Sequence, residues 1–160
     1  KQRAFAQARA QAALGCDMTD RLLSTDPDVQ VWRATMRECQ EMRAKLTIAY
    51  GNADQAERLA EQAVKTASSV RSTDPIDDRH ALARSLRLLG DIRERLGNRQ
   101  GAVAAWRAGL AAMPANVAER PNEMAERATL MDRLGRSGEA QPLLDRLTAM
   151  GYRQWNVRRV

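Results

Sequence analysis

A histidine, two cysteines and several paired carboxylates are the residues of this chain with the most chemical potential. The only histidine, His80, falls in the first turns of a predicted helix, close to Asp77 and Asp78. A histidine beside a carboxylate can act as a general base, but catalysis needs several groups that converge on one point. Carboxylates near a helix N-terminus also suit the helix dipole without a further role. We therefore interpret His80 as a surface residue at a helix start.

The two cysteines, Cys16 and Cys39, have neither CxxC spacing nor a histidine partner, which excludes an ordinary zinc site. They fall on adjacent antiparallel helices. Counted from the turn at Thr25 and Asp26, their positions differ by about four residues, or about 6 Å along the helix. A disulfide needs Cα atoms within about 7 Å, so a bridge is an open alternative. Two buried thiols that pack as small core residues are the favoured interpretation.

The remaining candidates for chemistry are few. The chain has no glycine-rich phosphate loop, and Glu57 and Glu61 have the i,i+4 spacing of a solvated helix face. The sequence therefore predicts a protein that is not an enzyme and has no catalytic residues, metal site or cofactor.

Composition indicates which elements must position these residues. Alanine supplies 28 of 160 residues, whereas aromatic residues make up 4%, which predicts an all-α fold. The net charge is +6 and the pI about 10.1, but the acidic residues are interleaved with the basic ones, as on solvated helix faces. No stretch approaches 18 uncharged apolar residues, so no membrane span is expected.

Helix breakers divide the chain into seven predicted helices. The tetrapeptide Ser-Thr-Asp-Pro occurs at 24–27 and again at 72–75, and in each copy we expect Asp to cap a helix and Pro to begin it. Short connections predict antiparallel neighbours. The predicted helices cover residues 2–23, 27–50, 53–71, 76–96, 99–113, 118–134 and 137–150.

An internal repeat relates three of the helix ends. In each, a helix ends in glycine and an alanine follows five residues later. The pairs are Gly51/Ala56, Gly97/Ala102 and Gly135/Ala140, and the glycines are 46 and 38 residues apart. A repeated pattern at such spacing predicts stacked supersecondary units, each too small to bury its apolar face alone.

The chain here resembles the tetratricopeptide repeat family. The best match, residues 83–116, has the family's 34-residue length, with Arg93 in place of the usual tyrosine. The residues that carry the resemblance are Leu86, Leu89, Gly90, Gly97, Ala102, Trp106, Gly109 and Pro114. It implies an antiparallel helix-hairpin solenoid, a right-handed superhelix in which Gly90 crosses Ala102 closely. We expect a domain over 1–150, with repeats at about 28–72, 76–116 and 118–150 and a partial repeat at 2–23.

In that family the first helix of each hairpin lines a concave groove that often holds a peptide. Transferred by position, the resemblance implies groove residues on three helices, among which Lys45, Arg84, Arg87 and Asn122 would hold carboxylates or peptide carbonyls. The peptide-binding candidates are Lys45, Ile48, Arg84, Arg87, Asp91, Asn122 and Thr129.

A looser resemblance extends to tetratricopeptide regions of bacterial multidomain signalling proteins such as eukaryote-like serine/threonine kinases. It rests on the long repeats, the Asp-Pro starts and the Met-Gly-Tyr-Arg sequence at 150–153. It implies a regulatory or docking segment of a longer protein with a protein or peptide partner. A cytoplasmic location is slightly favoured, and a periplasmic one is the alternative if a membrane span precedes this chain.

Two alternative functions stay open. The N-terminal helix has no predicted cover and could mediate homo-oligomer formation. The high pI could support nonspecific nucleic-acid binding, but with few aromatic residues for stacking this is not the expected partner. The tail, residues 151–160, carries apolar residues among arginines, and we expect it to cover the end of the stack.

Overall fold

The computed structural model describes residues 2–113 and 120–152, and within them it is all-helical. The seven helices are α1 Gln2–Thr25, α2 Gln30–Ala49, α3 Ala53–Ser69, α4 Pro75–Arg95, α5 Arg99–Ala112, α6 Pro121–Arg133 and α7 Ser137–Ala149. The predicted fold class is thereby confirmed, and no described residue lies in a strand. None of the described helices has both the length and the apolar character needed to cross a membrane.

Contacts between helices follow the chain order. Each helix packs against the next, and in addition α4 contacts both α2 and α6. Alanine-rich faces allow this close packing: Ala44, Ala56 and Ala60 meet Leu89 and Ile92 in one apolar cluster between α2, α3 and α4. The helices α2, α4 and α6 therefore form a continuous side of the molecule.

The repeated glycines end helices as the sequence predicts. Gly51, Gly97 and Gly135 have φ of +84°, +77° and +75°, a conformation that only glycine adopts at little cost. The residue after each donates its backbone N–H to a carbonyl five residues back, as in Asn98 to Arg93, which satisfies the helix end. The alanines of the repeat, Ala56, Ala102 and Ala140, are at most 1% exposed.

The two Ser-Thr-Asp-Pro copies behave differently. Asp74 caps α4 by accepting from the N–H of Ile76, and Pro75 begins the helix, as predicted. The prediction for the first copy is wrong: α1 continues to Thr25, and α2 begins only at Gln30. Asp26 donates its own N–H to α1, at Leu22, so the first copy serves a helix end and a turn.

This turn also explains the cysteines. Cys16 and Cys39 form a disulfide with Cα atoms 5.5 Å apart, so the preference for two free thiols is wrong. Because the turn occupies residues 26–29 rather than 25–26, the two cysteines are equally distant from its centre and lie level on α1 and α2. Both are buried, in a cluster with Met36.

The close contact between α4 and α5 involves a different residue of α5 from the one expected. An added Cβ at Gly90 would lie 2.3 Å from the indole nitrogen of Trp106, and its three nearest atoms all belong to that ring. Trp106, rather than Ala102, therefore requires the glycine. The Trp106 side chain is 2% exposed and packs with Ala83, Ala102 and Leu130.

Part of the predicted tail is described. Tyr152 packs against the cluster of Met124, Ala125 and Leu147 at the end of α6 and α7, and its hydroxyl hydrogen-bonds Asn122 Oδ1. The expected cover by Trp155, Val157 and Val160 lies outside the described residues.

Candidate functional site

The α2/α4/α6 face, defined as the side of the molecule formed by these three helices, contains a chain of buried and half-buried charges. Its first centre is Glu41 of α2, which is 3% exposed. Glu41 accepts hydrogen bonds from Arg37 at 2.7 Å and from the Ser85 hydroxyl at 2.7 Å, and Arg84 approaches its other oxygen at 3.4 Å. A buried carboxylate is tolerable when paired and hydrogen-bonded in this way, and it ties α2 to α4.

The second centre lies between α4 and α6. Arg87 donates to Glu126 at 2.6 Å and to Asp91 at 3.3 Å. Burial lowers the pKa of Arg87, but Glu126 and Asp91 outweigh it and hold the pKa above its ordinary value. Arg87 is therefore fixed in its charged form inside an ion-pair network.

Asp91 extends this network to two further elements. It accepts from the Trp106 indole N–H at 3.1 Å and from Arg133 Nε at 2.8 Å. One carboxylate thus joins α4, α5 and α6, and its acceptor sites are occupied by donors of the chain itself.

Two cations of the face remain accessible. Lys45 is exposed and has no carboxylate within ion-pair distance among the described residues. Arg84 keeps 38% of its side chain exposed and holds only the 3.4 Å contact to Glu41. The pKa of Lys45 is lowered, first by loss of hydration and then by the charges of Arg84 and Arg87, against Glu41 and Glu126, which raise it. Loss of hydration is therefore the main cause of the lowered pKa of Lys45, and charges of both signs surround its ammonium group.

The other predicted groove residues have diverse surroundings. Ile48 is partly buried against the cluster of Ala44 and Leu89. Asn122 is exposed, next to Tyr152. Thr129 is 9% exposed, and its hydroxyl donates to the carbonyl of Ala125 in its own helix at 2.8 Å. Thr129 thus offers little surface to a ligand.

His80 lies on the same side of α4 and is partly buried, which corrects its interpretation as a surface residue. Burial lowers its pKa most, Arg84 and Arg37 lower it further, and Glu126 and Asp77 raise it. A neutral imidazole at physiological pH follows from that balance. In the described ranges, no group of three or more His, Cys, Asp or Glu side chains is arranged to hold a metal ion.

A mixed-charge cleft of about 510 Å³ lies beside Asp91, at the end of the face where α4 and α6 terminate. Its charged walls combine three acids with three arginines. The residues that line it are Asp91, Glu94, Arg95, Arg99, Trp106, Asp132, Arg133 and Gly135.

Sequence reasoning missed Arg37, Glu126 and Arg133, which complete the ion pairs. The i,i+4 pair of Arg37 and Glu41 on the inner side of a predicted helix is a signal that could have indicated an internal pair. No such local signal exists for Arg133, whose partner is 42 residues away.

Comparisons with protein-family models, with curated proteins and with solved structures find no match to this chain.

Proposed function

We propose that this chain is a non-catalytic helical-repeat scaffold of the tetratricopeptide type that docks a peptide or protein segment on its α2/α4/α6 face. The observation that supports the proposal is the difference in accessibility between neighbouring basic side chains of this face. Arg87 is held by internal carboxylates, whereas Lys45 and Arg84 stay accessible beside it. The internal ion pairs hold this side of the molecule in a fixed arrangement. The two accessible cations, Lys45 and Arg84, can then bind a carboxylate.

The proposed ligand is an acidic side chain or C-terminal carboxylate of an extended peptide. Among the described residues Lys45 has no carboxylate within ion-pair distance, and its pKa is lowered chiefly by loss of hydration, which a bound carboxylate would offset. Binding of a carboxylate should therefore be strongest at low ionic strength and should weaken as salt screens the two cations.

The test is a peptide-display selection on the wild-type chain, followed by affinity measurements on the selected peptides. The double variant Lys45→Glu/Arg84→Glu should weaken binding by about tenfold or more, since it replaces two attractive charges by repulsive ones. Glu41 keeps its hydrogen bonds from Arg37 and Ser85 in this variant. Arg87 is left unchanged because its replacement would break the internal network.

Arg58→Glu/Lys65→Glu is the matched control. Both residues are exposed on α3, and the variant changes the net charge by the same amount. Equal loss of affinity in the two double variants would remove the α2/α4/α6 face from the proposal.

By the resemblance described above, we also propose that the chain is a regulatory or docking segment of a larger bacterial signalling protein. An antibody raised against this chain should detect, in source cells, a protein well above 17.8 kDa. A single band at the mass of the chain alone would contradict this part.

Self-association is a second candidate, favoured by an apolar stripe on α1. Leu14, Met18 and Leu22 are 65%, 66% and 37% exposed and follow each other at i,i+4 spacing. Sedimentation velocity over a dilution series should show a dimer that Met18→Lys converts to monomer. A monomer at every concentration would reject this candidate.

A further inference from the structure

A second cleft, of about 590 Å³, lies between α5, α6 and the start of α7, outside the α2/α4/α6 face. We call it the arginine cleft. Among the described residues, four arginines and four apolar residues line it, and none of these is acidic. They are Arg99, Val103, Arg107, Leu110, Ala111, Arg127, Leu134 and Arg136.

The arginine cleft arises from the helical register. On α5, Arg99, Val103 and Arg107 follow each other at intervals of four residues, so they share one side of the helix. Arg127 and Leu134 are two turns apart on α6 and form the opposing wall. The arrangement places an aliphatic floor beneath a positively charged rim.

The four guanidinium groups differ in availability. Arg107 is exposed and forms no hydrogen bond or ion pair in the described part of the chain. Arg127 donates to the carbonyl of Met113 at 3.1 Å and has no carboxylate partner within the described ranges. Arg99 pairs with Glu94 and Arg136 with Glu139, but both pairs are between side chains at least 42% exposed. Such exposed pairs are weak, so a bound carboxylate can compete for these arginines.

We propose that the arginine cleft binds a short peptide segment of a partner protein in which acidic and aliphatic side chains alternate. The charge of the rim selects carboxylates, and the floor of Val103, Leu110 and Leu134 selects aliphatic side chains. An extended segment matches the open form of the cleft, because small-molecule sites enclose most of their ligand.

The same residues disfavour the other polyanion that a basic surface could bind. Single-stranded nucleic acid is held by a basic groove together with aromatic side chains on which bases stack. No aromatic residue is among those lining the arginine cleft. An acidic peptide therefore uses both the rim and the floor, whereas a nucleic acid would use the rim alone.

The experiment measures fluorescence anisotropy of a labelled synthetic peptide in which Glu and Leu alternate, at low ionic strength. A peptide of alternating Glu and Ser, and an oligothymidylate of similar charge, serve as comparison probes. We expect the Glu-Leu peptide to bind about tenfold more tightly than either, because each buried aliphatic side chain adds to affinity. Equal affinity of the Glu-Ser peptide, or tighter binding of the oligothymidylate, would overturn the proposal.

Two matched pairs of variants locate the binding. Arg107→Glu should weaken it about tenfold or more, and Arg58→Glu on α3 should leave it within about twofold. Ala111→Asp places a negative charge in the lining of the cleft and should also weaken binding, whereas Ala108→Asp, on an exposed part of α5 outside the cleft, should not. Thermal melts of all four variants show whether each is folded.

One further variant distinguishes peptide binding at the arginine cleft from peptide binding at the α2/α4/α6 face. Lys45→Glu/Arg84→Glu should weaken binding of the Glu-Leu peptide less than Arg107→Glu does, because neither residue lines the arginine cleft. Loss of binding in that variant with full binding in Arg107→Glu would overturn the arginine cleft and assign the peptide to the α2/α4/α6 face.

Discussion

The N-terminal helix and the central helix of this protein are held in place by different forces. In the described part of the chain α1 contacts α2 alone, through the disulfide, a small apolar cluster and the ion pairs of Arg43, and its outer stripe of Leu14 and Met18 is exposed. α4 contacts four other helices and buries apolar and charged side chains on several sides. Among the described helices α1 has one neighbour, and a covalent link adds to the stability of that single interface.

The central helix shows what several interfaces allow. Asp91 can lose most of its hydration because α4, α5 and α6 each bring a donor or a cation to it. Such a network requires partners from several directions. We expect substitutions in the central region to unfold the whole domain, and substitutions at α1 to affect that helix alone.

The largest effect is expected for Trp106→Ala. The side chain is 2% exposed, fills the space above Gly90 and donates to Asp91. Its removal should lower the free energy of unfolding by about 3–5 kcal/mol, measured by urea denaturation.

Trp32→Ala is the matched variant in the N-terminal part. Trp32 is partly buried on α2, so its replacement should have a clearly smaller effect. A loss for Trp32→Ala as large as that for Trp106→Ala would contradict the contrast between the two regions.

The next effect is expected from removing the disulfide with Cys16→Ala/Cys39→Ala. The bridge closes a loop of 23 residues in sequence separation, which corresponds to about 3 kcal/mol of lost stabilisation. Because α1 contacts only α2 among the described helices, amide hydrogen exchange should accelerate more in α1 than in α4. Equal acceleration in both helices, or none in α1, would show that the link does not act locally.

The sequence predicts what depends on neighbours along the chain. Glycine at a helix end acts within one turn, so Gly97 could be assigned correctly, whereas the residue that crosses Gly90 is Trp106 rather than the expected Ala102. The pairing of Arg133 with Asp91 depends on how two separate hairpins pack, and no local pattern encodes it. The cysteine pairing was missed because a shift of the turn by about two residues moves two facing positions out of register.

A smaller effect on thermal stability should distinguish the two Ser-Thr-Asp-Pro copies. Asp74→Ala removes a helix cap and the ion pair with Arg120 at the start of α6, and should lower the melting temperature by about 2–4 °C. Asp26→Ala removes only the bond to the N–H of Asp28 in an exposed turn, and should change it by less. Differential scanning calorimetry of both variants tests this. Equal shifts of the melting temperature would mean that the contacts of Asp74 stabilise the protein no more than the turn hydrogen bond of Asp26 does.

The smallest effect concerns Glu123, a buried carboxylate in the first turn of α6 whose Oε2 has no hydrogen-bond partner among the described residues. Burial raises its pKa above the ordinary 4.5, with Asp77 and Asp74 raising it further against Arg120. The folded state then binds the proton more tightly than the unfolded state, so the free energy of unfolding falls as pH rises through the raised pKa. Glu123→Met should therefore stabilise the protein at neutral pH, and the gain should disappear as pH falls below about 4.5.

Glu139→Met should change the free energy of unfolding in the opposite direction when it is measured as a function of pH. The pKa of Glu139 is lowered, chiefly by its hydrogen bond from Arg136, so the wild type gains stability above the ordinary pKa and loses it in acid. This variant should be less stable than the wild type at neutral pH and approach it as pH falls. Urea denaturation from neutral to acidic pH distinguishes the two cases. If both variants change the free energy of unfolding in the same direction at neutral pH, the two carboxylates respond to net charge rather than to their own surroundings. The burial of Glu123 then has no consequence for stability.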